Sequence, residues 1–278
     1  MSSLDELAIH PSSLALLGKL QGTLPQALLL SGPRGIGLGT IVHKLDEHAL
    51  AAILQPRTAK GDIDNEAGTV SVESIRNLYD QTRSKQTSRR VIIIDNADRM
   101  SHGAQSAFLK LLEEPELHTC FILTSHQPEK LLSTIISRVQ HFALLPITTD
   151  QTSAFIASLG ISDATKQAQL RYMAGGLPAE LCRLAENDEY FASLAKTIGD
   201  ARQLLQGTTY QKGLIIQRYR NDRGGAVQLI DSTIALLRHT ISSKPQQSLI
   251  TQLEKLLDAR ERLTNNCNVG LQLMQVVL

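Results

Sequence analysis

Val91-Ile92-Ile93-Ile94 is a run of four β-branched apolar residues that ends on a carboxylate, Asp95. A strand of this kind has no polar face, so it needs cover on both sides, which a parallel sheet between helical layers supplies. Ala27-Leu28-Leu29-Leu30 and Cys120-Phe121-Ile122-Leu123-Thr124 have the same character. Helical spacing lies around and between these runs. Leu14, Leu17 and Leu20 follow a cap region at His10-Pro11-Ser12-Ser13. Ile75 and Leu78 follow Ser71, and Ala104, Ala107, Phe108, Leu111 and Leu112 share a face over Ser101–Glu114, which Pro115 ends. A short helix over Lys130–Ser137 and a last strand over Val139–Leu144 complete the alternation. It predicts an α/β domain with a parallel sheet over residues 1–145. Within it, the pattern predicts a helix from Thr40 through Leu54 and a short strand near Asp62–Asn65.

The pattern changes after Pro146. Helical periodicity runs over 149–160, 162–174, 177–186, 189–207, 210–219, 224–240 and 248–262, and strand alternation does not return. A small helical segment over 146–188 and an all-helical domain over 189–278 are expected.

Composition narrows the function classes. Twenty-eight Lys and Arg against 27 Asp and Glu leave a net charge of +1, which argues against a freestanding non-specific nucleic-acid binder but leaves room for a local DNA contact. Aromatic residues make up 4% with no Trp, which disfavours a stacking platform for single strands. Cys120, Cys182 and Cys267 are scattered and form no CxxC, so neither a zinc knuckle nor a disulfide framework is expected. No apolar run reaches the ~18 residues of a membrane span. The start, Met1-Ser2-Ser3-Leu4-Asp5-Glu6-Leu7, carries acid where a signal peptide carries base. A reducing cytoplasm and no membrane partner are the expectations.

Ser31-Gly32-Pro33-Arg34-Gly35-Ile36-Gly37 sits between a strand and a helix, where a phosphate loop would lie. Such a loop cradles phosphate with backbone N–H groups, reaches the outer phosphates with Lys and holds Mg²⁺ with Ser or Thr. Here the Lys and hydroxyl positions are Leu38 and Gly39, and Lys44 stands too far down the helix to replace the ammonium. Gly32, Gly35 and Gly37 are therefore either a retained scaffold turn or a weak anion site at a helix start. Asp95 occupies the place of a carboxylate that holds Mg²⁺ through water, or it caps a strand end. The next residue, Asn96, cannot act as a general base. Cation, metal hydroxyl and base are absent together, which argues against hydrolysis.

The Ser31–Gly37 loop, Val91-Ile92-Ile93-Ile94-Asp95-Asn96-Ala97-Asp98-Arg99-Met100, Ala107-Phe108-Leu109-Lys110-Leu111-Leu112-Glu113-Glu114-Pro115 and Ile136-Ser137-Arg138-Val139 occur in an order and spacing that resembles the bacterial DNA polymerase III clamp-loader subunits of delta-prime type. The resemblance covers about residues 9–145. It implies an AAA+ domain with a degenerate Walker A loop, a helical lid and a helical collar in a hetero-oligomeric ring that loads the sliding clamp on primed DNA during DNA replication. It also implies a stator that does not hydrolyse ATP. Arg138 would be the finger given in trans to ATP bound by a neighbouring subunit, although Val139 stands where the family's Ser-Arg-Cys motif has Cys. Implied partners are the motor and clamp-opening subunits, the clamp and primer-template DNA. No cofactor of its own is implied, and without the family's four-cysteine insert no zinc.

In the lid, Ala174-Gly175-Gly176-Leu177-Pro178-Ala179-Glu180 resembles the start of a nucleotide-sensing helix, with no Arg at its beginning and Arg183 falling later. Thr124 is either a first sensor or a strand-end hydrogen bonder. Arg99, Ser101, Gln105 and Lys110 could meet a duplex backbone, or form an ordinary solvated helix face. Leu204-Leu205, Leu214-Ile215-Ile216, Val227, Leu229-Ile230 and Leu236-Leu237 serve either the helical domain's own core or burial shared with sister subunits. Two rival functions stand beside the stator: a weak independent AAA+ ATPase, and an inactive AAA+ adaptor outside replication.

Overall fold

In a computed structural model the chain is described at residues 4, 6–20, 23–45, 49–65, 67–82, 89–114, 118–244, 246–265 and 267–277. Residues 83–88 of the basic Arg83–Arg90 stretch, Pro115 and the first three residues lie outside the described residues. The chain divides into two compact units, residues 1–186 and 187–278.

In the first unit, β1 (Ala27–Ser31), β2 (Leu50–Leu54), β3 (Arg90–Ile94), β4 (Thr119–Ser125) and β5 (Gln140–Ala143) form a parallel sheet in the order β2-β3-β4-β1-β5. Side chains alternate across each strand, so the continuous apolar runs feed two layers at once. Leu29, Ile92, Ile94, Phe121 and Leu123 pack on one face with α3 (Val72–Thr82) and α4 (His102–Glu113). Leu28, Leu30, Val91, Ile93 and Ile122 pack on the other with α1 (Pro11–Leu20) and α2 (Leu38–Leu45). Phe108 of α4 meets Phe121 edge-on, with ring centroids 5.3 Å apart. The central strands β1 and β4 are buried throughout, whereas the edge strand β5 is largely exposed.

Three local expectations are corrected. The helix expected from Thr40 through Leu54 stops at Leu45, and Leu50–Leu54 is strand β2, paired with β3. Leu and Ala there favour a helix locally, but an open edge of the sheet offers a ladder that outweighs propensity. Near Asp62–Asn65 there is no named strand. Arg57 instead makes isolated antiparallel bridges to Ile63 and Thr69. The helix expected over Lys130–Ser137 is a 3₁₀ turn at Pro128–Lys130 followed by α5 (Ser133–Ile136). The unit closes with α6 (Thr149–Ser158), α7 (Ala164–Ala174) and α8 (Pro178–Glu186). A reciprocal cap opens α6: Thr148 Oγ1 accepts from the Gln151 N–H, while the Gln151 side chain accepts from the Thr148 N–H.

The second unit is all-helical: α9 (Asp188–Gln206), α10 (Thr209–Tyr219), α11 (Arg223–Ser243), α12 (Gln247–Thr264) and α13 (Val269–Val277). Leu204, Ile215, Ile216, Leu229, Ile230 and Leu237 all join its own core. Most of the apolar pairs whose burial the sequence left open are thus used within the unit. Leu214, 45% exposed, is not.

A polar cluster is set into this core. Asp200 is 6% exposed and accepts two hydrogen bonds from Arg218 Nη1, both at 2.6 Å, and one from the Tyr219 hydroxyl at 3.0 Å. Burial pushes the Tyr219 phenol above its ordinary value, and the nearby Asp200 carboxylate adds to the shift. Neutral Tyr219 is the form the fold favours, so its contribution is complete below about pH 10 and is lost as pH rises through the folded value. Thermal unfolding from pH 8 to pH 11.5 should show the second unit weakening above about pH 10. Tyr219→Phe should flatten that limb. Equal slopes in the two proteins would contradict the assignment.

Candidate functional site

The glycine-rich turn leaves β1 at Ser31, whose hydroxyl lies 2.7 Å from His141 Nε2 on β5. The Gly32 N–H donates to the Ser125 carbonyl at 3.3 Å, and the Gly32 carbonyl accepts from His126 Nδ1 at 2.8 Å, so that ring nitrogen carries a proton. The loop is therefore tied to the end of β4 on both sides of one peptide. Leu38 takes the position of a phosphate-gripping Lys. It is 3% exposed and lies in the apolar layer with Ile36, Ile41 and Val42. The side chain that should reach outward is part of the core.

The outer surface of the loop is occupied by α8. Gly175 and Gly176 turn the chain with positive φ, and Leu177 packs against the layer that holds Leu38. The first turn of α8 then docks on the loop: the Ala179 and Glu180 N–H groups donate to the Gly35 carbonyl at 2.9 and 3.1 Å. The leading N–H groups of a helix have no intrahelical acceptor and would suit an anion. Here a loop carbonyl takes two of them. Gly35 has φ +87°, and a Cβ on it would stand 2.9 Å from Glu180 Cβ. Only glycine permits both that backbone and that approach.

The carboxylate at the end of β3 is also engaged. Asp95 Oδ1 accepts from the Thr124 hydroxyl at 2.6 Å, and Oδ2 accepts from the Gln55 amide at 3.4 Å. Thr124 Oγ1 accepts from the Asn96 N–H at 2.8 Å. Asn96 sits in the left-handed region at φ +50°, which Asn tolerates better than most residues. Asp98, 9% exposed, accepts from the Ser125 hydroxyl at 2.9 Å and the His126 N–H at 3.1 Å. These groups fasten the ends of β3 and β4 to each other and to the loop. From sequence, Asp98 stands only as a member of the motif that carries the resemblance, and Ser125, His126 and Gln55 have no assigned role. The one available signal was the polar run Thr124-Ser125-His126 closing a buried strand.

Mg²⁺–ATP does not fit this set. The loop has neither ammonium nor hydroxyl at positions 38 and 39, Asp95 is bound to Thr124, and α8 covers Gly35. Among the described residues, no group of three His, Cys, Asp or Glu could hold a metal ion. Restoring the two missing side chains with Leu38→Lys and Gly39→Thr should still leave ATP turnover at background, since Asn96 and the α8 contact remain. A phosphate-release assay on the double variant checks this, and sustained turnover would contradict it.

Arg138 lies apart from the loop, between α5 and β5. Its Nη2 is 2.8 Å from Glu113 Oε1 at the end of α4, while Nη1 donates to the Thr134 carbonyl at 3.0 Å and to Ser137 Oγ at 3.4 Å. The two charged side chains are 39% and 52% exposed. Such a pair contributes about 0–1 kcal/mol and yields readily to a second anion.

The four DNA candidates part company. Lys110 is exposed and Arg99 half-buried. Ser101 caps α4, accepting from the Ala104 N–H at 3.2 Å. Gln105 is 5% exposed, and its amide joins the Met100 and Lys130 carbonyls and the Leu132 N–H. Gln105 is thus a structural strut rather than a surface donor, because its polar atoms complete backbone groups that water does not reach. No helix among the described residues is long and apolar enough to cross a membrane.

Comparison with known proteins agrees with this architecture. A family model described as DNA polymerase III, delta subunit matches residues 18–148. The delta-prime subunit of Bacillus subtilis DNA polymerase III is 28% identical over 225 residues, covering 71% of this chain and 67% of that protein. The gamma subunit of Buchnera aphidicola is 28% identical over 247 residues, covering 80% and 66%. The matches span about two thirds of those relatives' own length. A gamma subunit-related protein of Thermotoga maritima shares the fold, with a TM-score of 0.52 at 16% identity over 95% of this chain and 96% of that one. The chain is thus similar in sequence to DNA polymerase III subunits described as delta, delta-prime and gamma.

Proposed function

We propose that the chain is a delta-prime-type subunit of a DNA polymerase III clamp loader: a stator that does not hydrolyse ATP and lends Arg138 to ATP held by a neighbouring subunit. Residues 146–186 act as the lid, and the helical unit acts as the collar. The motor and clamp-opening subunits, the sliding clamp and primer-template DNA are the partners, in the cytoplasm.

The observation that carries this reading is a contrast within one unit. The chain's own loop holds Leu38 in the core and α8 on its outer surface. Meanwhile an arginine stands at the surface on nothing stronger than an exposed ion pair. An enzyme acting for itself needs the first site in working order. A subunit acting on its neighbour needs only the second. An exposed guanidinium suits charge that develops on a γ-phosphate bound next door. Exposed Lys110 at the end of α4 suits a duplex backbone, where contacts position rather than specify.

Reconstitution tests the reading. Motor, clamp-opening subunit, clamp and primed DNA are combined with and without this chain, and clamp loading is measured. Loading should require the chain. A chain that neither joins those subunits nor affects loading is an adaptor outside replication.

A further inference from the structure

Arg138 is held at rest by more than its own segment. Nη1 donates to the Thr134 carbonyl at 3.0 Å and to Ser137 Oγ at 3.4 Å, and Ser137 gives its own proton to the Thr134 carbonyl at 3.1 Å. These neutral acceptors belong to the turn that carries the arginine. Glu113 belongs to another element: it is the last residue of α4, and its Oε1 accepts from Nη2 at 2.8 Å. This is the charge-assisted bond among the three, and so the stronger kind. A phosphate that claims the guanidinium fork competes with acceptors already in place. The position of Glu113 works against α4 itself. A carboxylate at a helix C-terminus faces the unsatisfied carbonyls of the last turn, where a cation is favoured. Glu114 follows it, and among the described residues no cation other than Arg138 pairs with Glu113. Stability of the helix therefore does not account for this carboxylate, whereas its bond to Arg138 does.

We infer that Glu113 is a resting site for the finger: it competes with the γ-phosphate for the Arg138 guanidinium and takes it back once that phosphate has left. This role rests on the reading of Arg138 as the finger and adds the residue that restrains it. Only the fraction of chains with Arg138 released can grip the phosphate, so the resting pair weakens triphosphate binding at the neighbouring site in proportion. For an exposed pair of this kind the factor is about threefold. A diphosphate offers Arg138 no γ-phosphate, so Glu113 leaves its binding untouched. Had Glu113 instead held the guanidinium in its working pose, loss of the carboxylate would weaken triphosphate binding. The sign of the change separates withdrawal from orientation.

Nucleotide binding at the neighbouring site of the reconstituted complex tests it, with the remaining ATP sites disabled and mant-labelled AMP-PNP and ADP as the probes. Glu113→Gln keeps the shape of the side chain and removes its charge. It should tighten AMP-PNP about threefold and leave ADP binding as in the parent. In an Arg138→Ala background the same substitution should do neither, because the two residues act as a pair. Turnover by Arg138→Ala is read alongside. If that variant slows turnover while Glu113→Gln leaves AMP-PNP binding unchanged, weakens it, tightens ADP equally or acts without Arg138, the resting role is overturned and the finger stands. If Arg138→Ala leaves turnover unchanged, the finger reading itself fails and the resting role goes with it.

Discussion

Arg138→Ala is expected to slow ATP turnover at the neighbouring site of the reconstituted complex by about a thousandfold or more, the usual worth of an arginine supplied in trans. The chain itself should fold normally. Arg138 gives up an exposed contact to Glu113 and two local hydrogen bonds, a loss of about 1 kcal/mol or less. Arg138→Lys should recover only part of the rate, because an ammonium keeps the charge and loses the planar fork. Glu113→Gln should change little, which separates the guanidinium's role from that of its resting partner. The measurement is single-turnover phosphate release with the remaining ATP sites of the ring disabled. Unchanged turnover and loading with Arg138→Ala would remove Arg138 from the site.

Gln105→Ala should destabilise the first unit by about 2–4 kcal/mol, lowering its unfolding midpoint by roughly 5–12 °C. One amide there joins three backbone groups of two segments: the Met100 carbonyl before α4, and the Lys130 carbonyl and Leu132 N–H that lead into α5. Truncation leaves these backbone groups without that partner and opens a small void. Lys110→Ala should behave in the opposite way. Its stability should stay within about 0.5 kcal/mol of the parent, while DNA affinity of the assembled complex falls and the salt slope drops by about one. Thermal unfolding and salt titrations of DNA binding on the two variants distinguish strut from contact. Normal stability of Gln105→Ala would contradict the role drawn from its hydrogen bonds.

The parallel sheet and the all-helical region after it were legible because both rest on patterning. Strands apolar on both faces, such as Val91–Ile94, have few places to go, and sustained helical spacing after Pro146 marks α6 through α12 to within a few residues. Strand β2 was not legible. Its Leu and Ala residues favour a helix alone, and only the exposed edge of β3 makes a strand of them. The loop was legible in its losses, since Leu38, Gly39 and Asn96 can be named from sequence. Its closure was not, because the contact between Gly35 and α8 joins residues more than a hundred positions apart. Gln105 shows the same limit. A polar residue on an amphipathic helix reads as solvent-facing until the distant carbonyl of Lys130 supplies it with a buried partner.

Titration of the purified chain with Mg²⁺–ATP, followed for nucleotide binding and for phosphate release, tests the central claim most directly. With Leu38 in the core, Asp95 held by Thr124 and the first turn of α8 on Gly35, phosphate release should not rise above that of the Asp95→Ala variant. Sustained turnover that Asp95→Ala abolishes would show a working ATPase and contradict the account.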